Sequence, residues 1–347
     1  MAESPESSGT PARPHTPRTP EKSETPENPV IIDLGSSPSG RIASPGHGGP
    51  GVVAERSDPG DVGLAALRAA IEELYASPPP APAPEHLALL ARFLQALESG
   101  AVRAAEPDPA APCGWRVNPW VKQGLLLGFR LGRTVDMTVG TAPAPQLPFY
   151  DKDTYPPRRF APGAGVRVVP GGSSIRAGSH IGRGVTCMPP MFVNAGAWVG
   201  DGSMIDSHAL VGSCAQVGER VHLSAAAQLG GVMEPVGELP VIVEDDALIG
   251  GNCGVYEGTL VRRGAVLGAG TILTRSTPVY DLVREEIHRA QDGGPLVIPA
   301  GAVVVPGSRA VARGRGREWG LSLYTPVIVK YRDAATGGRV QLEDWLR

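Results

Sequence analysis

The sequence predicts a mainly β fold whose largest part is a parallel β-helix. A small helical domain precedes it and a strand or hairpin cap follows it. The first observation is an aliphatic residue at every sixth position along a long stretch of the chain. The second is the composition, with 46 glycines and 36 prolines among 347 residues, because both residues break long helices. The third is a hydrophobic fraction of 41%, which is too high for a wholly disordered chain.

The six-residue spacing runs in three blocks, at Ile175, Ile181, Cys187, Val193, Val199, Ile205, Val211, Val217, Leu223 and Leu229, then at Val243, Ile249, Val255, Val261, Leu267 and Leu273, and finally at Ile298 and Val304. A period of six fits a strand of about four residues followed by a two-residue turn, and three such units close a triangular coil. The aliphatic side chain then points inward, and the small residue four positions later fills the corner. A prism of this period is a left-handed parallel β-helix.

The flanking segments divide the chain into five regions. Residues 1–58 are rich in Pro, Gly and Ser and predict a disordered tail. Residues 59–135 predict a helical cap domain with three helices: one from Asp61 to the prolines after Ser77, one ending near Gly100, and one from Pro119 to Phe129. Residues 136–170 connect this cap to the β-helix at 171–308.

Residues 309–347 predict a C-terminal cap. Within it, residues 322–331 read as a strand, and a second strand after Gly337 and Gly338 would complete a hairpin. Two segments, 231–242 and 274–297, interrupt the six-residue repeat. Long loops that leave a regular solenoid are often functional or cover an exposed end. We expect the helical domain to cover the N-terminal end of the prism.

Charge and cysteine content exclude several classes of protein. The net charge of −3 provides no basic excess for binding nucleic acid. The sequence has neither an apolar run long enough to span a membrane nor a secretory signal. The four cysteines show no CxxC spacing and predict reduced thiols without a metal site. We therefore expect a cytoplasmic protein with no nucleic-acid or membrane partner.

Several stretches resemble the tetrahydrodipicolinate N-succinyltransferase family, from about residue 87 to the C-terminus. They include irregular segments as well as the repeat: Phe149-Tyr150-Asp151-Lys152, Val166-Arg167-Val168-Val169-Pro170, Met204-Ile205-Asp206, Val211-Gly212-Ser213-Cys214-Ala215-Gln216, Val221-His222-Leu223-Ser224 and Gly230-Gly231-Val232-Met233-Glu234-Pro235. The resemblance implies a homotrimer with active sites between neighbouring prisms, and an enzyme of lysine and diaminopimelate biosynthesis. It also implies succinyl-CoA as co-substrate, a ring-opened cyclic imine dicarboxylate as acceptor, and neither a tightly bound cofactor nor a metal. The product would be N-succinyl-2-amino-6-oxopimelate, with free CoA.

The resemblance also assigns candidate substrate-binding residues. Asp206 matches the aspartate that binds the substrate amine at the reacting centre. Its role as base, orienting anion or transient acyl acceptor stays open. Arg167 matches the arginine that binds a substrate carboxylate, a task suited to the bidentate guanidinium. Arg176 and Ser213 are weaker candidates, because a solvated turn residue and a corner-filling serine explain them equally well.

His222 and Glu257 are candidate acid–base groups, although His222 could simply bond a neighbouring backbone group. His208 is expected to face solvent or pack. Well-known family members carry a glutamate where this chain has Gly254, so a mechanism with two carboxylates is in doubt here. Glu257 lies half a repeat further on and is not expected simply to replace the missing carboxylate.

Coenzyme A would need backbone donors along the coil turns and a cation for a phosphate. The candidates are Ala226, Gly231, Gly268 and Lys330, although small residues are also what the prism needs structurally. Two alternatives to succinyl transfer stay open: an acetyl-CoA-dependent transfer to the same acceptor, and a non-catalytic hexapeptide scaffold.

Overall fold

A computed structural model describes residues 59–140, 147–291 and 293–332, with side chains from residue 63 onward. The predicted tail at 1–58 lies outside these residues. The second strand of the predicted C-terminal hairpin, after Gly337, lies outside them too. No helix among the described residues is long and apolar enough to cross a membrane.

Three helices form the N-terminal part, as predicted: α1 (Pro59–Ala76), α2 (Pro84–Ser99) and α3 (Pro119–Leu131). Gly100 ends α2 with a φ of 83°, and its N–H donates to the carbonyl oxygen of Leu97. Glycine suits this left-handed conformation because it has no Cβ. Two short antiparallel pairs were not predicted: β1 (Ala105–Pro107) with β2 (Trp115–Val117), and β3 (Thr134–Asp136) with β4 (Tyr150–Lys152).

The helices share an apolar cluster with the prism. Buried residues of all three helices, such as Ile71, Phe93 and Leu125, pack together with Ala195 and Cys214 from two successive coils. The helical domain was expected to cover the N-terminal end of the prism, and these contacts show that it also reaches along its side.

The prism is built from short strands: β5 (Arg167–Val168), β6 (Ser174–Ile175), β7 (His180–Ile181), β8 (Thr186–Cys187), β9 (Phe192–Val193), β10 (Trp198–Val199), β11 (Met204–Ile205), β12 (Leu210–Val211), β13 (Gln216–Val217), β14 (His222–Leu223), β15 (Gln228–Leu229), β16 (Ile242–Val243), β17 (Leu248–Ile249), β18 (Gly254–Val255), β19 (Leu260–Val261), β20 (Val266–Leu267) and β21 (Ile272–Leu273). Successive strands visit three sheets in turn, and each strand pairs in parallel with the strand 18 or more residues away.

The C-terminal part adds β22 (Val279–Asp281), β23 (Glu286–His288), β24 (Val297–Ile298), β25 (Ala302–Ala310), the short helix α4 (Gly314–Glu318) and β26 (Ser322–Tyr331). The predicted strand at 322–331 is thus present. Among the described residues its antiparallel partner is β25, upstream in the chain. The interruption at 274–297 contains the β22–β23 hairpin.

We name the sheets by their members. Sheet A contains β5, β8, β11, β14, β17, β20 and β25, extended by β26, β22 and β23. Sheet B contains β6, β9, β12, β15, β18 and β21. Sheet C contains β7, β10, β13, β16, β19 and β24. The chain runs from A to B to C and back, so the turns form three corners, which we call AB, BC and CA.

The predicted inward positions are confirmed. All eighteen repeat residues are buried, and none is more than 6% exposed. The small residues four positions later, from Ser179 to Thr271, are buried as well. This is the left-handed parallel β-helix that the six-residue spacing predicts. The predicted strand length of about four residues was wrong, however. Each strand of the prism has only two paired residues, and the other four of each six form the corner.

The interior packing can be tested on β17, where Leu248 faces outward and Ile249 inward. Ile249 is fully buried, so Ile249→Ala should lower the free energy of unfolding by about 2–5 kcal/mol. Leu248→Ala on the half-buried outer face should cost about 1 kcal/mol. Urea denaturation of both variants measures the difference, and equal losses would contradict the assigned register.

Candidate functional site

Asp206 begins corner AB of the third coil. Its neighbour Ile205 points into the prism, so the aspartate leaves the strand at the corner. The N–H of Asp206 donates to the carbonyl oxygen of Leu223 (2.9 Å), and the N–H of Ser207 donates to Asp206 Oδ1 (2.7 Å). The side chain is 29% exposed. The carboxylate is therefore fixed in position and within reach of a ligand.

His222 lies on the next coil, beside Asp206. Its strand pairs with β11, where Met204 is its register partner. The imidazole Nε2 lies 3.7 Å from Asp206 Oδ2, which is longer than a hydrogen bond. Within the described part of the chain, Nε2 is buried and has no hydrogen-bond partner. The structure thus brings two of the candidate groups together with a ring nitrogen facing the carboxylate.

Arg167 occupies the outward position of the first strand of sheet A. The register runs from Arg167 to Thr186 and then to Met204, two strands further along the sheet. Strands in a sheet are about 4.8 Å apart, so Arg167 lies roughly 10 Å from the coil that carries Asp206. Its side chain is exposed. Arg167 and Asp206 therefore flank one stretch of the sheet A face.

Arg176 is committed to partners within the chain. Its guanidinium forms an ion pair with Asp151, donates to Asn194 Oδ1 (3.2 Å) and lies 5.1 Å from the ring centre of Phe129. Burial raises the pKa of Asp151, but the hydrogen bonds from Arg176 and Lys152, together with the charges of these two residues, outweigh it, so the pKa lies below its ordinary value. With only 17% of its side chain exposed, Arg176 holds the helical domain to the first coil.

Ser213, Gly231 and Glu257 follow strands of sheet B, so they lie at corner BC, not at corner AB beside Asp206. Ser213 is 9% exposed. Gly231 and Glu257 line a cavity of about 480 Å³ that also contacts Tyr256 and Arg275. Glu257 Oε2 accepts the N–H of Arg275 (3.1 Å). Within one chain the candidate residues are thus divided between two corners.

A buried lysine holds the 231–242 loop, which lines this cavity. Lys122 of α3 is fully buried, and its Nζ donates to the carbonyl oxygen of Glu238 (2.5 Å). Burial lowers the pKa of Lys122, although Cys214 and Glu238 partly oppose the shift. Glu238 in turn accepts a hydrogen bond from Arg275 Nη2 (2.6 Å). The first interruption of the repeat, at 231–242, is therefore held in place at Glu238 by Lys122 and Arg275.

The candidate coenzyme A residues fall mostly along corner AB. Ala226 lies one coil beyond Asp206, with a φ of 58°, and Gly268 lies two coils further. Lys330 pairs with Val303 on the last strands of sheet A. Gly231 is the exception, at corner BC. His208 is exposed, with its backbone in the left-handed region at corner AB.

Tyr256 covers Gly254, a feature that the sequence reading missed. A Cβ at Gly254 would lie 2.5 Å from Tyr256 Cε2, and one at Gly230 would lie 2.8 Å from its Cδ1. The ring therefore lies across both glycines and occupies the space that a side chain at position 254 would need. The signal in the sequence was the aromatic residue directly after Val255, where several other coils have glycine.

Asp281, Glu286 and His288 form a second cluster that was not predicted, with ligand atoms within 4.8 Å of one another. Asp281 is buried and already satisfied. Its Oδ2 accepts from Tyr331 Oη (2.5 Å), and its Oδ1 accepts the N–H of Val283 (2.9 Å). Burial raises the pKa of Asp281, but these hydrogen bonds hold it below its ordinary value. The cluster fastens the β22–β23 hairpin to β26.

Comparison with known proteins identifies related sequences. A family described as "Tetrahydrodipicolinate N-succinyltransferase N-terminal" matches residues 66–131, and "Hexapeptide repeat of succinyl-transferase" matches residues 240–275. A 2,3,4,5-tetrahydropyridine-2,6-dicarboxylate N-succinyltransferase from Polynucleobacter asymbioticus is 41% identical, over 78% of this chain and 93% of that protein. Proteins of the same name from Xylella fastidiosa and Cereibacter sphaeroides are 41% and 39% identical, over 74% and 81% of this chain and 87% and 98% of theirs.

The packing of Tyr256 on Gly254 can be tested by a double-mutant cycle. Gly254→Ala should cost about 1–3 kcal/mol of unfolding free energy, because the new Cβ displaces the ring. The same change should be nearly neutral in a Tyr256→Ala background. Gly237→Ala is the control, since a Cβ there meets nothing within 4 Å. Additive effects of the two substitutions would contradict the contact.

Proposed function

This chain belongs to the 2,3,4,5-tetrahydropyridine-2,6-dicarboxylate N-succinyltransferase family, and from that premise we propose how its residues perform the family's reaction. The enzyme is a CoA-dependent N-acyltransferase of lysine and diaminopimelate biosynthesis. Succinyl-CoA donates its acyl group to the amine of ring-opened tetrahydrodipicolinate. The products are N-succinyl-2-amino-6-oxopimelate and free CoA. The observation that carries this proposal is the Asp206–His222 pair at corner AB.

The reaction joins an amine nitrogen to a thioester carbon. The nitrogen lone pair attacks the carbonyl, the C–S bond breaks, and the nitrogen loses a proton while the sulfur leaves as thiolate and gains one. The amine must therefore be neutral and correctly oriented before attack. Asp206 accepts a hydrogen bond from the amine, and His222 Nε2, at 3.7 Å from that carboxylate, takes the proton that the nitrogen releases.

The acceptor carries two carboxylates, which need cationic partners. Arg167 supplies a guanidinium on the same sheet face as Asp206, and its exposed side chain is available for a bidentate contact. A separation of roughly 10 Å between their coils suits a ligand with a carboxylate at one end and an amine further along. Arg176 contributes indirectly, because it braces the first coil through Asp151.

The donor lies along corner AB. Small residues at this corner, including Ala226 and Gly268, leave room for the pantetheine arm. Their own N–H groups already donate to Ser207 (2.8 Å) and Val304 (2.7 Å), so these two residues contribute space and not the expected backbone donors. Succinyl-CoA is a co-substrate here, and no residue of this mechanism requires a metal or a tightly bound cofactor. Lys330 lies at the far end of the same sheet.

We further propose a homotrimer, with each site completed by a neighbouring prism. Asp206 and Ala226 lie at corner AB, whereas Ser213, Gly231 and Glu257 lie at corner BC. A second copy that packs its corner BC beside corner AB would bring both sets into one cleft. The four cysteines are free thiols, which supports a reducing compartment, the cytoplasm.

The donor identity is tested by mixing the protein with tetrahydrodipicolinate and either succinyl-CoA or acetyl-CoA, and following thiol release. We expect release with succinyl-CoA and much slower release with acetyl-CoA. Faster release with acetyl-CoA would make the chain an acetyltransferase. No release with either donor would leave a non-catalytic scaffold as the remaining interpretation.

Asp206→Asn should lower kcat by about 100-fold or more, because the neutral amide no longer supplies the negative charge that orients the substrate amine. The oligomeric mass, measured by light scattering, should stay that of three chains. Asp136→Asn, an exposed aspartate on β3, is the matched control and should keep full activity. Near-normal turnover of the Asp206 variant would refute its role.

A further inference from the structure

The segment from the last two residues of β25 to the start of β26 is strongly basic in a chain that is acidic as a whole. We call residues 309–321 the basic excursion. It contains one glutamate and four arginines, at positions 309, 313, 315 and 317, against a net charge of −3 for the protein. All four arginines are exposed. Within residues 59–140, 147–291 and 293–332, none of their side chains has an ion pair or hydrogen bond. Among the described residues, therefore, no acidic group neutralises their charge.

The excursion is held in shape by its own contacts. The N–H of Val311 donates to the carbonyl oxygen of Leu321 (2.9 Å), which closes the segment at its base. The N–H of Leu321 donates back to Gly316 (2.9 Å), and a Cβ at Gly316 would lie 2.5 Å from Val311 Cγ1. The arginines thus project from an ordered turn, which lowers the entropy that a ligand would have to remove.

An exposed tryptophan lies on the same segment. Trp319 has 65% of its surface exposed, beside the exposed Leu321. Large exposed apolar side chains next to arginines are the combination that binds a planar base attached to phosphates: the indole stacks on the base and the guanidinium groups bind the phosphates. This pairing of residues points to a nucleotide.

The position of the excursion relates it to corner AB. The strand β25 pairs with β20, and the N–H of Gly268 donates to the carbonyl oxygen of Val304 (2.7 Å). The strand then continues straight past the corner as the β25–β26 hairpin. Tyr324 of this hairpin donates to and accepts from the backbone of Ile272 on the edge of sheet B. The turns of corner AB therefore form a continuous row from Asp206 to Gly268, and the β25–β26 hairpin lies at the end of that row.

We propose that the basic excursion binds the adenosine 3′-phosphate 5′-diphosphate end of the acyl-CoA donor, an inference that rests on the proposed function. Acyl-CoA has its thioester at one end, a long thin arm, and a nucleotide with three phosphate groups at the other. With the thioester beside Asp206 and the arm along corner AB, the nucleotide reaches the hairpin. The arginines at 313, 315 and 317 bind its phosphates, and Trp319 stacks on the adenine.

The test compares two donors on the full-length protein. The triple variant Arg313→Gln/Arg315→Gln/Arg317→Gln should raise KM for succinyl-CoA about tenfold or more, with kcat within about twofold of wild type. Succinyl-pantetheine lacks the nucleotide, so its kcat/KM should be the same for variant and wild type. Increasing salt should raise KM for succinyl-CoA in the wild type more than in the variant.

A second triple variant, Arg68→Gln/Arg92→Gln/Arg159→Gln, removes the same charge elsewhere and should leave both donors unaffected. Trp319→Ala should raise KM for succinyl-CoA alone, without changing the oligomeric mass. A change in that mass would place Trp319 in a contact between copies and overturn its role.

The outcomes separate this inference from the proposed function. An active wild type whose KM for succinyl-CoA is unchanged by the triple substitution overturns the inference only. An equal loss with both donors also overturns it, because the effect would not depend on the nucleotide. A wild type that releases no thiol from either donor overturns the proposed function and this inference together.

Discussion

The stacking of one aliphatic side chain from every six residues into a dry interior is the constraint on which the other features depend. Eighteen such side chains are buried in three parallel sheets, and each holds its two neighbours in register. A shift of one residue would turn the whole set outward and expose it to water. Because this register is fixed, every polar residue that follows an inward position is carried to a known corner.

The three corners carry different sets of polar and charged residues. Corner AB carries Asp206 with His222 beside it, and continues through small residues to the β25–β26 hairpin. Corner BC carries Ser213, Glu257 and the braced cavity above Lys122. Corner CA is occupied by ion pairs such as Arg220 with Asp246 and Arg263 with Asp245, which satisfy one another. In the homotrimer that we propose, one site would combine corner AB of one copy with corner BC of the next.

The sequence was sufficient wherever a local period or turn residue determines structure. It predicted the inward positions and the three helices. It could not reveal contacts between residues distant in the chain. The commitment of Arg176 to Asp151, the covering of Gly254 by Tyr256 and the Asp281 cluster all depend on how separate elements meet. The length of the strands was wrong because a period of six does not say how its residues divide between strand and corner.

The central claim is that corner AB holds the reacting groups. A crystal structure of the protein with CoA and a non-reactive amino dicarboxylate bound tests it most directly. The account predicts the CoA sulfur and the ligand amine beside Asp206, with a ligand carboxylate on Arg167. It would be contradicted if both ligands occupied the cavity lined by Glu257 and Arg275 and left Asp206 without a contact to either.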